Sequence, residues 1–273
     1  MNLSSPTTIK NILEKYHIKP SLALGQNFLI DQNILKKIIT AADIKKDDVI
    51  LEVGPGIGQL TQELAKTAKK VVAVEKDKKM IQILKETLSE YANIEIIAED
   101  ILKFPLQMPS YKVVANIPYY LTSRLIRKLL ESGAQPSVMV LMIQKEVAQR
   151  ILATPPDMNL LALSVQYYAD PKIISSVSRN CFLPKPNVDS AIIAITPKIK
   201  VSKESSGLFF QLARAGFSQK RKQLANNLAN VLDIKKEIIE HILLNNNISP
   251  KQRAETLSVE DWEKIVKEIK ETA

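Results

Sequence analysis

Seven short apolar runs, at residues 49–53, 71–74, 94–98, 112–115, 138–143, 173–177 and 191–195, alternate with stretches of helical spacing. This alternation constrains the fold more than any other feature of the chain. The helical stretches fall at 59–68, 78–90, 122–131, 145–152 and 160–168. Most of the apolar runs are continuous, as in strands covered on both faces. Strands separated by helices pair in parallel through crossovers, which predicts a doubly wound α/β layer structure with a mostly parallel seven-stranded sheet. In such sheets ligands bind beyond the carboxyl ends of the strands. Ahead of the first run, residues 31–42 read as a helix with Asp31 as its N-cap. After Thr196-Pro197 the texture changes: residues 198–206 are polar, and helical periodicity alone continues at 208–215, 221–232, 235–244 and 259–269. A boundary near Lys200 is expected, giving an α/β domain over 1–200 and an all-helical domain over 201–273.

A chain of 273 residues, 45% hydrophobic and 25% charged, can bury a sizeable core. No apolar stretch approaches the roughly 20 residues of a membrane helix, and residues 1–10 lack the layout of a secretory signal, so a cytoplasmic protein without membrane contact is expected. The single cysteine, Cys181, excludes internal disulfides and a cysteine-rich zinc site. Its expected role is that of a small apolar side chain. The only histidines, His17 and His241, are too few and too distant for a metal site or a Ser-His-Asp arrangement, so no metal is expected. Trp262 falls in a helical pattern with Ile265 and Ile269 and is expected in a core. The net charge of +9 is compatible with a polyanionic partner without requiring one. Location says more than the total. Between residues 205 and 232 stand Arg214, Lys220, Arg221 and Lys222 with no acidic residue, a window able to follow a phosphate backbone or to serve as a solvated helix face.

Three of the seven glycines lie in Glu52-Val53-Gly54-Pro55-Gly56-Ile57-Gly58, directly after an apolar run. A strand that ends in such a turn and opens into a helix lets a ligand press against bare backbone beside the positive end of the helix. A dinucleotide fingerprint needs its third glycine at the sixth position, which here is Gln59. The spacing Glu-x-Gly-x-Gly-x-Gly instead resembles motif I of S-adenosylmethionine-dependent methyltransferases. Glu75 closes the next apolar run, where a carboxylate can accept both hydroxyls of a ribose.

The fourth strand ends in Asn116-Ile117-Pro118-Tyr119. An exocyclic amine of a base has its lone pair delocalised into the ring and reacts only when helped toward a tetrahedral geometry. The Asn116 amide oxygen and the Ile117 carbonyl can each accept one N–H of such an amine. Pro118 holds Ile117 extended, and Tyr119 offers a flat face for an unstacked base. No charged base is needed, because the amine becomes acidic only after it is alkylated; positioning and oriented dipoles carry the reaction.

These motifs, with Gly25-Gln26-Asn27-Phe28-Leu29 and Phe182-Leu183-Pro184-Lys185-Pro186-Asn187-Val188-Asp189-Ser190, resemble those of the ribosomal RNA adenine N6-dimethyltransferase family, most nearly its bacterial KsgA-type branch acting on small-subunit 16S RNA. The resemblance covers nearly the whole chain, including 217–228 and Arg253-Ala254-Glu255. It implies a Rossmann-like class I methyltransferase fold and S-adenosyl-L-methionine as cofactor, released as S-adenosyl-L-homocysteine. It implies that Asn27 and Leu29 close over the methionine part, that the glycine turn (Gly54, Gly56) meets the cofactor by backbone, that Glu75 takes the ribose hydroxyls and that Asp100 reads the cofactor's adenine. Asn116 would bind the target amine beside the Ile117 carbonyl, with Tyr119 and Phe182 stacking on the flipped base. The implied product carries two methyls on each of two adjacent adenines near the 3′ end of the RNA. The helical domain, with Arg214, Lys220, Arg221 and Lys222, would help dock the small ribosomal RNA within a 30S assembly intermediate, the enzyme acting as a monomer. Glu99 and the softer charge pattern of Lys220-Arg221-Lys222 depart from the family pattern. Two other readings remain at this point: a large-subunit RNA methyltransferase of the erythromycin-resistance type, and a non-catalytic RNA-binding assembly factor. Gln59 and the lack of an acid-base residue disfavour a nicotinamide oxidoreductase.

Overall fold

The computed structural model describes residues 1–20, 25–198 and 203–272. In chain order the elements are α1 (Pro6–Lys15), β1 (Phe28–Leu29), α2 (Gln32–Ala42), β2 (Val49–Val53), α3 (Gln59–Ala65), β3 (Lys70–Glu75), α4 (Lys78–Thr87), β4 (Ile94–Ala98), β5 (Lys112–Asn116), α5 (Thr122–Leu130), β6 (Met139–Gln144) and α6 (Lys145–Ile151). They continue with α7 (Leu160–Tyr168), β7 (Ala169–Val177), β8 (Phe182–Leu183), β9 (Ser190–Pro197), α8 (Lys203–Gly216), α9 (Leu224–Leu232), α10 (Lys236–Asn245) and α11 (Val259–Thr272). Two compact units result: Met1–Ala148 with Pro171–Pro197, and Gln149–Asp170 with Lys198–Ala273.

In the first unit seven strands form one sheet in the order β4-β3-β2-β5-β6-β9-β7. Strands β2 to β6 pair in parallel, and β9 runs antiparallel to β6. The central strands β2, β3, β5 and β6 are buried along most of their length, as continuous apolar runs require, whereas the edge strand β7 alternates and the edge strand β4 has no fully buried residue. The chain steps outward from β2 to β4 and then returns to the other side of β2 as β5. This reversal opens a crevice at the carboxyl ends of β2 and β5. Asp31 caps α2 as expected, accepting the N–H groups of Asn33 and Ile34 at 2.8 and 3.3 Å.

The core of the first unit packs Ile38 of α2 and Leu64 of α3 against Ile50, Val71, Val114, Val140 and Ile192 of the sheet. A second cluster joins α1 to α4 through Ile9, Ile83 and Leu84. Helix α1 is not among the elements expected from periodicity. Nor is the two-residue ladder of β1 and β8, with Phe28 opposite Leu183 and Leu29 opposite Phe182, which is too short to show a period.

The expected boundary near Lys200 falls at residues outside the described ones. The units also divide differently from the sequence expectation, because Gln149–Asp170 groups with the C-terminal helices. Ala162, Leu163 and Tyr167 of α7 are buried with Phe209, Leu212, Leu228, Leu243 and Trp262, and the Tyr167 and Phe209 rings stack at 3.9 Å between centroids. Trp262 is fully buried there, as predicted. The basic stretch, expected on a helix, is not helical: α9 begins at Leu224, so Lys220, Arg221 and Lys222 lie in the turn before it. The buried Asn227 amide explains the late start. It donates to the carbonyls of Gly216 and Gln219 at 2.6 and 3.1 Å, tying α9 to the end of α8 and holding the turn between them.

Candidate active site

The glycine turn after β2 takes left-handed conformations at Gly54, Gly56 and Gly58, with φ of +67°, +62° and +94°. Gly54 donates its N–H to the carbonyl of Val74 at 3.0 Å, so the turn is fastened to β3 as it leaves the sheet. A side chain at Gly54 would stand 3.4 Å from Pro118, and one at Gly25, also left-handed at φ +65°, would stand 3.1 Å from the same residue. Bare backbone at both positions lets three segments converge on Pro118: the stretch before β1, the glycine turn and the end of β5. Between them lies a cavity of about 290 Å³ lined by Asn27, Leu29, Gly54, Gly56, Glu75 and Asn116, among others.

Glu75, the last residue of β3, is buried with its carboxylate held by backbone. Oε1 accepts the N–H groups of Lys76 and Asp77, each at 2.8 Å, and Oε2 that of Gly56 at 3.3 Å. Burial pushes its carboxyl above the ordinary range, and those three N–H groups oppose the shift. A carboxylate has about four lone-pair sites, so one, on Oε2, can still accept a donor from the cavity.

Asp100 lines a second cavity, of about 100 Å³, which shares Gly54, Glu75, Lys76, Pro118 and Tyr120 with the first. Its Oδ1 accepts the N–H of Leu102 at 3.0 Å and its Oδ2 pairs with Lys76 Nζ at 3.0 Å. Both partners, the Leu102 N–H first, hold its carboxyl below the usual range. The loop that carries Asp100 is gripped from α5, where Lys128 Nζ donates to the carbonyls of Ile101 and Phe104 at 2.8 and 2.6 Å. Burial lowers the Lys128 pKa against the pull of the Asp100 and Glu99 carboxylates.

Asn116 ends β5, aligned with Met142 of β6. Its Nδ2 donates to the carbonyl of Asn27 at 3.3 Å, which leaves Oδ1 as the side chain's acceptor. Asn27 itself has a buried side-chain oxygen with no partner, although its Nδ2 reaches the carbonyl of Gly25 at 3.3 Å. Glu52 of β2 is the other buried carboxyl on the cavity wall, and its Oε2 also lacks a partner. Burial pushes the Glu52 carboxyl up to about 8; the neighbouring Thr61 hydroxyl opposes the shift and the Glu75 charge adds to it. Buried polar atoms without partners are rare, and two on one cavity wall mark a place for a donor-bearing ligand.

The remaining expected residues divide. Ile117 is buried and its N–H donates to the carbonyl of Met142 at 3.2 Å. Tyr119 is half-buried, with its hydroxyl 2.8 Å from Ser190 Oγ. None of Ile117, Tyr119 and Phe182 lines either cavity, and Phe182, on the strand that pairs with β1, is buried with Leu29, Ile34 and Leu35. Arg214, Lys220, Arg221 and Lys222 are all exposed in the helical unit. Among the described residues no three His, Cys, Asp or Glu side chains gather as a metal site would need.

The structure adds residues that spacing had not singled out for a role. Buried Gln59 donates to the carbonyl of Leu29 at 3.1 Å. Asp77 caps α4 and accepts the Gln26 amide at 3.0 Å. Tyr120, more exposed than Tyr119, stands at the mouth of both cavities. An N-cap pattern could have found Asp77. Nothing in the spacing points to Lys128, which lies 28 positions after Asp100.

A parallel sheet reversing at β2 and β5, with a glycine turn, an acidic strand end and an Asn-Ile-Pro-Tyr segment around one crevice, defines a Rossmann-like methyltransferase. The family model for ribosomal RNA adenine dimethylase matches residues 18–271. The ribosomal RNA small subunit methyltransferase A of Dehalococcoides mccartyi (strain CBDB1) is 47% identical over 263 residues, covering 94% of this chain and 90% of that protein. The protein of the same description from Clostridioides difficile (strain 630) is 44% identical over 272 residues, covering 95% and 94%. Among solved structures, a dimethyladenosine transferase from Plasmodium falciparum superposes with a TM-score of 0.76 at 32% identity, covering 89% of this chain and 98% of that one. The 23S rRNA methyltransferase ErmE, at 24% identity and a TM-score of 0.75, shares the fold. The chain belongs to the ribosomal RNA adenine dimethylase family and is an RNA adenine methyltransferase.

Proposed function

We propose that this enzyme transfers methyl groups from S-adenosylmethionine to N6 of two adjacent adenines near the 3′ end of 16S ribosomal RNA, working as a cytoplasmic monomer on a small-subunit assembly intermediate. The observation that carries the reading is the Asn116 amide. With Nδ2 given to the Asn27 carbonyl, its Oδ1 is left to accept an N–H from the target amine. The Ile117 carbonyl is assigned the second N–H, and Tyr119 the face of the flipped base. Two acceptors on one amine localise its lone pair on nitrogen, and the attack needs no ionised base.

The residues fit S-adenosylmethionine. The unpartnered Oδ1 of Asn27 and Oε2 of Glu52 match a donor-bearing ammonium, and Glu75 Oε2 retains a lone pair for a ribose hydroxyl. Asp100, which lines the adjoining cavity, is assigned the adenine amine. When bound, that cofactor supplies a methyl group on a sulfonium. Leu29 and Gly54 provide the close walls, and Gln59 holds the Leu29 carbonyl in place. Arg214 and the turn of Lys220, Arg221 and Lys222 are assigned to phosphate contacts on the RNA. Relatives described as small-subunit enzymes at 44–47% identity favour the small subunit over the large as substrate.

Incubation of the full chain with labelled S-adenosylmethionine and unmodified small or large subunits, followed by nuclease digestion and mass spectrometry, tests the reading. N6,N6-dimethyladenosine is expected at two adjacent positions of the small-subunit RNA, and Asn116→Ala should abolish it. Label confined to the large subunit, or full turnover by Asn116→Ala, would overturn the assignment.

A further inference from the structure

We propose that Ser190 is the positioning residue that sets the plane of Tyr119 against the target base. The inference rests on the reading of Tyr119 as the stacking platform. Tyr119 Oη and Ser190 Oγ lie 2.8 Å apart. The serine is fully buried where β9 begins, opposite Gln144 of β6. Its neighbour Asp189 is fastened twice: the carbonyl accepts the Lys145 N–H at 3.0 Å and Oδ1 accepts the Arg179 N–H at 3.0 Å. The hydroxyl therefore sits on a rigid support.

The main chain of Tyr119 is equally fixed. Leu121 donates its N–H to the carbonyl of Pro118 at 2.9 Å, and Thr122 Oγ1 donates to the carbonyl of Tyr119 at 3.1 Å. What remains free is rotation of the ring about its two side-chain torsions, and a hydrogen bond at the far end of the ring removes it. The strand that supports Ser190 is also informative. β6 aligns Met142 with Asn116 on one side and Gln144 with Ser190 on the other. The amide that receives the amine and the serine that holds the ring are thus referred to the same strand, two residues apart. A base lying on the ring is then held in fixed relation to the amide, and small misplacements of a reacting group are costly in rate.

The test compares Ser190→Ala, Ser190→Thr, Tyr119→Phe, Tyr119→Ala and the Ser190→Ala/Tyr119→Phe double variant, all in the full chain, with labelled S-adenosylmethionine and unmethylated small subunits. Losing one hydrogen bond that orients the ring should lower kcat/KM for RNA roughly tenfold in Ser190→Ala and in Tyr119→Phe, with no further loss in the double variant. Ser190→Thr, which keeps the hydroxyl, should restore most of the rate. Affinity for S-adenosylhomocysteine, measured by calorimetry, should be unchanged throughout, which a general loosening of the fold would not allow. Parental kcat/KM in Ser190→Ala, losses that multiply to about a hundredfold in the double variant, or a parallel loss of S-adenosylhomocysteine affinity would each overturn the proposal. Tyr119→Ala separates the two layers. Parental turnover in that variant defeats the stacking role itself, whereas an inactive Tyr119→Ala beside a fully active Ser190→Ala defeats only the tether.

Discussion

Glu52→Gln should stabilise the ligand-free enzyme at alkaline pH while weakening its hold on the cofactor. Glu52 is 1% exposed, and its carboxyl, ordinarily near 4.5, is raised to about 8 by burial. A carboxyl whose folded pKa lies above its unfolded one favours the folded state in its protonated form, so its contribution is complete below 4.5 and lost as pH rises toward 8. Each unit of pH across that window costs about 1.4 kcal/mol. The loss is about 3 kcal/mol at neutral pH and reaches about 5 kcal/mol above the folded pKa. Glutamine has nearly the same shape and no charge to bury. Parent and variant should therefore melt together near pH 5 and diverge at higher pH, the variant melting roughly 10 °C higher at pH 9 for a chain of this size. Thermal melts of the ligand-free proteins across pH 5 to 9 make the measurement. A difference in melting temperature that stays constant with pH would refute the reasoning, because only the ionisation of Glu52 links the two. The same logic applies to binding. A cationic ligand group beside Glu52 favours its ionised form, so S-adenosylmethionine should bind with release of a proton near pH 7, seen as a binding enthalpy that depends on the buffer's own ionisation. Affinity should fall about tenfold in the glutamine variant, in which a charged hydrogen bond becomes a neutral one.

Three further outcomes are expected. Lys128→Met frees the Ile101 and Phe104 carbonyls and loosens the loop carrying Asp100, so affinity for S-adenosylhomocysteine should fall about tenfold by calorimetry, with kcat at saturating cofactor little changed. Gly216→Ala would bring a methyl group to 2.4 Å from the buried Trp262 ring, and such overpacking costs about 1–3 kcal/mol. Hydrogen exchange should show faster opening of α8 and α11, with the sheet unit unaffected. Removing Lys220, Arg221 and Lys222 together should flatten the salt dependence of small-subunit binding, by up to about 0.9 in log–log slope for each phosphate these side chains neutralise, without altering S-adenosylhomocysteine affinity.

Legibility of the site in the sequence followed physical range. Gly54, Glu75 and Asn116 were readable because each sits at the end of an apolar run, where strand periodicity gives way to a turn, and all three meet at one cavity. Asp31 was readable as a cap because the bond it makes spans two or three residues. The basic turn was misplaced onto a helix because Asn227, which ends that possibility, acts through carbonyls eight and eleven residues away. The burial of Phe182 beside Leu29 was not readable, because it comes from the two-residue ladder with β1. A ladder of two residues leaves no periodic trace.

The alternation of apolar runs and helical spacing determined the sheet, because hydrophobic burial and backbone pairing impose periods that every strand and helix repeats locally. The glycine spacing and the Asn-Ile-Pro-Tyr segment determined the chemistry within reach, since these depend on residue type at adjacent positions. Tertiary structure alone decided which distant partners complete the site. Lys128 holding the Asp100 loop, Gln59 holding Leu29, Ser190 against Tyr119, and the grouping of Gln149–Asp170 with the C-terminal helices all join positions far apart in the chain. Such pairings follow from how packed layers meet in space, and no local pattern encodes them.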